Sequence, residues 1–312
     1  MTNNETWLGR RSFLGLCTFG AGLTLGHGKA LAQTAAAAPP ARLAWLDSAA
    51  MLRDFLRLRG TPSGEICIGI EGLIYGRPQD DLMRPLCGFR SAVTLRVSEI
   101  APAVYKAEQR ESTHYSDLET GDVLTTFKNP LTDETVTAIG FCSPTNVFYV
   151  DATGTYLRDL PEKRAGKIAL DWRVTDETVR VTEARYNRFP SSITEEEFPR
   201  AYTGPHRDSV DIITYEADYA AFADPTIDAV PASVHMISDT PWQFWLMMGR
   251  RPGHAVWNGY GRKYPNFAAF PARFRETVET YSPGFLADPW NFPVERYGTA
   301  AQMRRLKAEG KL

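Results

Sequence analysis

Two short segments concentrate the residue types that chemistry needs. The first is His114-Tyr115-Ser116-Asp117-Leu118-Glu119-Thr120-Gly121. It sets an imidazole, a phenol and a carboxylate at the end of an alternating run and the start of a turn. Strand alternation puts His114 and Ser116 on one face, Tyr115 and Asp117 on the other. Tyr115 or His114 would then transfer a proton while Asp117 holds the geometry. The competing reading has Asp117 and Thr120 closing a hairpin through side-chain-to-backbone bonds, and for Asp117 it is the stronger one.

The second segment runs from Pro241 to His254. Trp242, Phe244 and Trp245 with two methionines precede Arg250, Arg251 and His254, and Trp257 and Tyr260 follow. Aromatic walls with a few polar groups are what a pocket for a small apolar or aromatic molecule requires. Arg250 would grip a carboxylate or phenolate with two parallel bonds, and His254 would exchange a proton near neutral pH. The plainer account is a core strand ending in a solvated Arg-Arg turn. A third pair, Glu71 and Tyr75, stands at spacing four in an apolar run, hence on one strand face. If Glu71 points inward it needs a partner, and Arg185 or Arg188 would supply one.

Other chemistries are poorly served. The chain has no glycine-rich nucleotide loop, no GxSxG elbow and no HExxH pair, so no cofactor is expected. His114, His206, His235 and His254 show no metal-ligand spacing, which leaves a histidine site assembled from separate strands as a distant alternative. The formal net charge is -2, without the basic stripe that phosphate backbones demand, so nucleic acid is not an expected partner. Cys67, Cys87 and Cys142 form no CxxC pair. An oxidising compartment would allow one disulfide among them and leave one thiol over, and Cys67, inside an alternating apolar run, reads as a buried thiol.

The elements that must position these groups are mostly strands. The first residues are a targeting signal: Gly9-Arg10-Arg11-Ser12-Phe13-Leu14, a glycine-softened apolar run to Leu25, and Lys29 before Ala30-Leu31-Ala32. This pattern predicts export in the folded state by the twin-arginine translocase, cleavage after Ala32 and a periplasmic location. The apolar run is roughly a dozen residues, against about 20 for a bilayer span, so no stable membrane anchor is expected. Cys17, preceded by Leu16, is a poor lipid-attachment site. Residues 33–40 read as a flexible leader and 41–312 as one β-rich domain.

Asp47 is placed to cap a helix through Met51, Leu52, Phe55, Leu56 and Leu58, ended by Gly60. Alternation then predicts strands at Ile66 to Tyr75, Val93 to Val97, Val104 to Tyr115, Val123 to Phe127, Val136 to Phe141 and Val147 to Val150. A hairpin over Ile168 to Phe189 turns at Asp176-Glu177. Further strands are expected at Val210 to Tyr219, Ser233 to Met248 and His254 to Tyr264. Helices are expected through Phe267 to Tyr281 and from Glu295 to Glu309. The connections are too short for crossover helices. The predicted fold is therefore mainly β: an antiparallel lipocalin- or calycin-like barrel or curved sheet with helices at the N- and C-terminal ends.

Several stretches are together familiar: Glu71-Gly72-Leu73-Ile74-Tyr75, Leu86-Cys87-Gly88-Phe89, Tyr115-Ser116-Asp117 through Thr120-Gly121-Asp122 to Asn129-Pro130, Arg188-Phe189-Pro190, and Pro241-Trp242 through Gly249-Arg250-Arg251-Pro252-Gly253-His254. In these the chain resembles a bacterial and fungal family known as domain of unknown function DUF1838. Members commonly look like twin-arginine exports, and the resemblance supplies no activity. Cys87 stands where a bulkier or apolar residue is expected, so it is a poor candidate for shared chemistry. Asn129 and Arg188 lie in these stretches and join Trp242, Trp245, Trp257, Glu71, Tyr75 and Asp117 as candidate ligand contacts.

The resulting expectation is a periplasmic protein with a pocket for a small apolar or aromatic molecule. If it is an enzyme, the chemistry is cofactor-independent acid–base catalysis of the lyase, isomerase or dehydratase kind, with His254, Tyr115 and His114 handling protons and Arg250 orienting an anionic group. The alternatives are a non-catalytic small-molecule carrier and, after it, a histidine-ligated metalloenzyme. Convergence of His114, Tyr115, Arg250 and His254 within one ligand's length separates enzyme from carrier.

Overall fold

The computed structural model describes residues 48–151, 154–156 and 170–312. The signal and leader expected over residues 1–40, with Cys17 and the Asp47 cap, lie outside the described residues. Helix α1 (Ser48–Arg59) buries Leu52, Phe55, Leu56 and Leu58, whose spacings of three, one and two place them on one broad apolar face. It ends at Gly60, whose N–H donates to the Leu56 carbonyl at 2.8 Å.

Long alternating runs then build strands β1 (Gly64–Pro78), β2 (Arg84–Ala101) and β3 (Val104–Ser116). Shorter ones follow: β4 (Thr126–Asn129), β5 (Glu134–Thr137), β6 (Phe141–Cys142), β7 (Asn146–Asp151) and β8 (Gly154–Tyr156). The expected hairpin is β9 (Asp171–Val174) and β10 (Thr178–Pro190). Strand β11 (His206–Asp218) runs into the short helix α2 (Tyr219–Ala223), and β12 (Ser233–Thr240) and β13 (Gly253–Tyr264) complete the sheet. Helices α3 (Ala272–Tyr281), α4 (Val294–Tyr297) and α5 (Thr299–Ala308) close the chain.

Ten strands form one antiparallel sheet in the order β8-β7-β3-β2-β1-β13-β12-β11-β10-β9. Strand β6 pairs with β3 off that path, and β4 with β5 makes a separate two-stranded sheet. The protein is thus mainly antiparallel β with helices at both ends. Among the described residues no helix is long and apolar enough to cross a membrane.

Several expectations fail locally. The expected strand from Ser233 to Met248 stops at Thr240, because Pro241 has no N–H for a ladder. The aromatic segment beyond coils through a 3-10 turn at Phe244–Leu246, with Met247 at φ 55° and Gly249 at φ 54°. The expected helix from Phe267 begins only after Pro271, and the C-terminal helix divides at Gly298. The expected strand from Val123 to Phe127 shrinks to β4, leaving Val123 in a single bridge to Ser116.

The two faces of the sheet are covered differently. Inward residues of β1, β2, β10 and β11 (Ile66, Ile68, Val93, Leu95, Val181, Tyr215) share a core with α1. Lys263 ties that end together: its ammonium donates to the carbonyls of Arg57 (2.7 Å), Gly60 (2.7 Å) and Val230 (2.8 Å). The opposite face carries Cys67, Ala92 and Cys142 under a phenyl layer of Phe267, Phe270, Phe274, Phe285 and Phe292. The sheet is strongly curved. The Arg185 guanidinium of β10 lies 4.8 Å over the Phe148 ring of β7, although those strands are far apart in the hydrogen-bonded order.

Candidate functional site

The four residues expected to handle protons and charge do not converge. His114 faces away from the concave side, under α3. Its Nε2 lies 3.1 Å from Ser112 Oγ and 3.2 Å from Ser282 Oγ, and burial pushes the imidazole down to about 4. Tyr115, the next residue, points the other way into the core, and burial pushes its phenol well above the usual range. Arg250 is exposed and donates to Glu195 at 2.5 Å. His254 is also exposed, with Nδ1 2.6 Å from Asp239, whose second oxygen accepts from Arg77 at 2.9 Å.

The expected ligand contacts are likewise divided. Trp242, Trp245 and Trp257 are buried. Trp242 donates to the Arg251 carbonyl at 2.8 Å, while the Trp245 and Trp257 rings lie 4.6 and 5.9 Å from Tyr115. Asn129 is fully buried and closes the aromatic loop by donating to the Leu246 carbonyl at 3.0 Å. Asp117 accepts from the N–H groups of Glu119 and Thr120, each at 2.9 Å. These bonds hold its carboxyl below the usual range, and they are the hairpin-closing geometry. Arg188 contacts His206 (3.2 Å) and Asp208 (3.6 Å) at the rim. Glu71 is exposed and pairs with Arg90 at 3.5 Å rather than with Arg185 or Arg188; Tyr75, four residues further along β1, is half-buried.

What the curvature does bring together is a polar belt across the middle of the concave face. Register places Trp257, Ser238, Asp211 and Arg185 in one cross-strand row. Asp211 accepts from Ser238 Oγ (2.5 Å) and Asn187 Nδ2 (2.6 Å), with Arg185 Nη2 at 3.6 Å. Behind the row, Glu183 pairs with Arg59 at 3.6 Å and lies 3.9 Å from Arg185 Nε. Across from it on β3, the Glu111 carboxylate accepts from Ser91 Oγ (3.0 Å) and Thr113 Oγ1 (2.5 Å). Burial pushes the Glu111 carboxyl up. Its two hydroxyl partners oppose that shift, Asp211 adds to it and Arg185 opposes it. Four strands separate Glu111 from Asp211 in the sheet order, yet the two sense one another because the sheet folds back on itself.

Donors outnumber acceptors in this interior. Among the described residues, Nε and Nη1 of Arg185, the hydroxyl of Tyr115 and the indole N–H groups of Trp245 and Trp257 have no hydrogen-bond acceptor. All four residues are at most 8% exposed. The Trp245 N–H comes near enough to the Tyr115 oxygen to oppose its pKa shift slightly, as does the Arg207 guanidinium, but without hydrogen-bond geometry. Arg207 itself donates to the Trp242 carbonyl at 3.1 Å and lies 4.4 Å over the Phe244 ring. A buried donor without an acceptor costs about 1–3 kcal/mol, so several of one polarity on one face mark a place where acceptors belong.

Alternation in β10 carried the signal for this belt. Val179 and Val181 face the core, and the same parity turns Glu183, Arg185 and Asn187 inward. Cys67, Cys87 and Cys142 are free and buried, and burial pushes the Cys67 and Cys87 thiols up to about 12. Among the described residues no group of three or more His, Cys, Asp or Glu is arranged to hold a metal ion.

No curated protein matches the chain. Among solved structures, immune modulator A of Aeromonas veronii aligns at 8% identity over 67% of this chain and 98% of its own, with a TM-score of 0.11, and at that value neither fold nor function is transferred. A family model described as "Protein of unknown function (DUF1838)" matches residues 64–299, the body of the sheet and the helices that cover it, and the chain belongs to that family.

Proposed function

We propose that the protein is a periplasmic small-molecule-binding protein whose guest lies against the concave face of a lipocalin- or calycin-like sheet. The guest is largely apolar or aromatic and carries a carbonyl or carboxylate. The observation that carries this reading is Arg185, a buried guanidinium with two N–H donors unclaimed and a phenyl ring beneath it. Nε and Nη1 lie on different edges of the rigid guanidinium plane, and each suits an acceptor oxygen; Trp257 adds an indole donor in the same cross-strand row. A barrel-like sheet of about eight strands or more holds one small ligand in its interior.

Binding without catalysis is favoured, because the groups named for proton transfer, His114, Tyr115 and His254, stand apart from one another and from Arg250. A catalytic reading rests on one observation: Glu111, opposite Arg185, has its carboxyl pushed up by burial, as a general acid near neutral pH requires. Extraction of the mature protein purified from its native host, followed by mass spectrometry, tests the binding. A stoichiometric carbonyl- or carboxylate-bearing molecule is expected, and its absence from repeated preparations refutes the reading. Loss of the extracted molecule on incubation with wild-type protein, but not with Glu111→Gln, would establish catalysis.

Export by the twin-arginine route and cleavage after Ala32 are part of the proposal, supported by Arg10-Arg11 and Ala30-Leu31-Ala32. Replacing both arginines by lysine is expected to leave the uncleaved chain in the cytoplasm. Unchanged recovery from the periplasm contradicts that route.

A further inference from the structure

The outer side of the same sheet, away from the polar belt, carries a groove of about 1080 Å³ between β9–β13 and the start of α3. Its floor is made of outward residues, and register sets them in rows. One row runs Thr182, Thr214, His235, Tyr260, Glu71, and the next Arg180, Glu216, Ser233, Arg262, Gly69. Tyr260 and His235 stack with ring centroids 4.4 Å apart and planes 9° from parallel. Asn258 Oδ1, 2.8 Å from His235 Nε2, fixes the imidazole orientation. The Tyr260 side of this stack remains 61% exposed, an unusual state for a large ring held rigidly on a sheet.

Charge in the groove is unbalanced. Most of its guanidinium groups are engaged: Arg90 with Glu71 at 3.5 Å, Arg173 with Asp171 at 3.5 Å, Arg180 with Glu216, and Arg273 with the Gly121 carbonyl at 2.9 Å. Arg262 is exposed and has no hydrogen-bond or ion-pair partner among the described residues. Gly69, its neighbour on β1, presents no side chain of its own there, and the Tyr264 and Phe270 rings border it. Tyr260 and Arg262 are two residues apart on one strand face, so ring and guanidinium stand roughly 7 Å apart.

From this geometry we infer a second ligand site, on the outer groove, for small aromatic acids: a planar ring stacks on Tyr260 while a carboxylate on a short spacer pairs with Arg262. The ring gains stacking and dispersion on a surface already immobilised by His235. The carboxylate meets a free fork of N–H donors inside a net positive groove, which concentrates anions. A two- or three-bond spacer between ring and carboxylate matches the distance along β13. The site shares no side chain with the concave-face belt, so it stands or falls separately.

Isothermal titration with 3-phenylpropanoate, its neutral amide and 3-cyclohexylpropanoate tests the assignment on the mature protein. The acid is expected to bind saturably. Arg262→Gln and the amide should each weaken binding about tenfold or more, Arg262→Lys less than Arg262→Gln, and Tyr260→Leu should abolish the preference for phenyl over cyclohexyl. Both side chains are exposed, so the melting temperature of each variant should stay at the wild-type value. Absence of saturable binding overturns the inference, as does equal binding of acid and amide, unchanged affinity in both variants, or binding of adenosine monophosphate in place of the aryl acid.

Discussion

At the scale of single residues, burial decides what the titratable groups can do. His114 is the clearest case. Its Nε2 meets hydroxyls rather than a carboxylate, and desolvation alone holds the imidazole near 4. The unfolded chain takes up a proton near 6.5, so the native state forfeits stability as the pH falls from about 6.5 to about 4. The full loss is about 3 kcal/mol. Urea melts of wild type and His114→Gln should show this: the wild type loses stability relative to the variant across that window, and parallel profiles would contradict it. Glu111 runs the other way. Its carboxyl is raised, so its favourable contribution is complete below the ordinary carboxylate range and is lost as the pH rises through the raised value. Glu111→Gln should therefore gain stability relative to wild type as the pH rises, and a constant difference would count against a desolvated carboxyl at this position.

At the scale of elements, α1 and the phenyl layer are what hold the sheet's two faces. Lys263 satisfies three carbonyls at once, two of them, Arg57 and Gly60, at the end of α1. Lys263→Met keeps the apolar stem and removes all three bonds, and chemical denaturation should register a loss of about 3 kcal/mol. Phe285 is fully buried in the layer over Cys67 and Ala92, and Phe285→Ala should cost about 3–5 kcal/mol. A loss below 1 kcal/mol in either case would mean the corresponding cover contributes little.

These elements also explain what was legible beforehand. Strands β1, β3, β7 and β13 announce themselves by alternation, because one face of each packs against apolar neighbours. The aromatic segment after Pro241 misled, since hydrophobicity alone cannot separate a core strand from a core loop: Asn129 and two left-handed residues coil it instead. Glu183, Arg185 and Asp211 were harder still. Glu183 and Arg185 continue the parity of the core residues Val179 and Val181, but charged types read as a solvated face, and Asp211 is flanked by Val210 and Ile212, apolar residues that face outward. His235 carried no local motif, and its role depends on a partner 25 residues away across the ladder.

At the scale of the whole molecule, a sheet that folds back on itself makes two unlike surfaces from one set of strands. Inward, it encloses carboxylates, guanidinium groups and hydroxyls in a core that apolar residues would have filled more simply. A buried ionic network is rarely kept for stability alone, since well-packed apolar replacements often do as well. Outward, the same strands present a rigid aromatic stack beside an unpaired arginine. In the proposed function, Arg185 and its neighbours meet a guest's acceptor oxygens on the concave face.

Tryptophan fluorescence tests that claim most directly, because Trp257 shares the Arg185 row and Trp245 stands over Tyr115. Fractions of host small-molecule extract, titrated into the mature protein, should give a saturable change with the wild type. The change should weaken by tenfold or more in Arg185→Gln and persist in Arg262→Gln. A fluorescence signal that no fraction alters, or one that Arg185→Gln leaves untouched, would contradict the account.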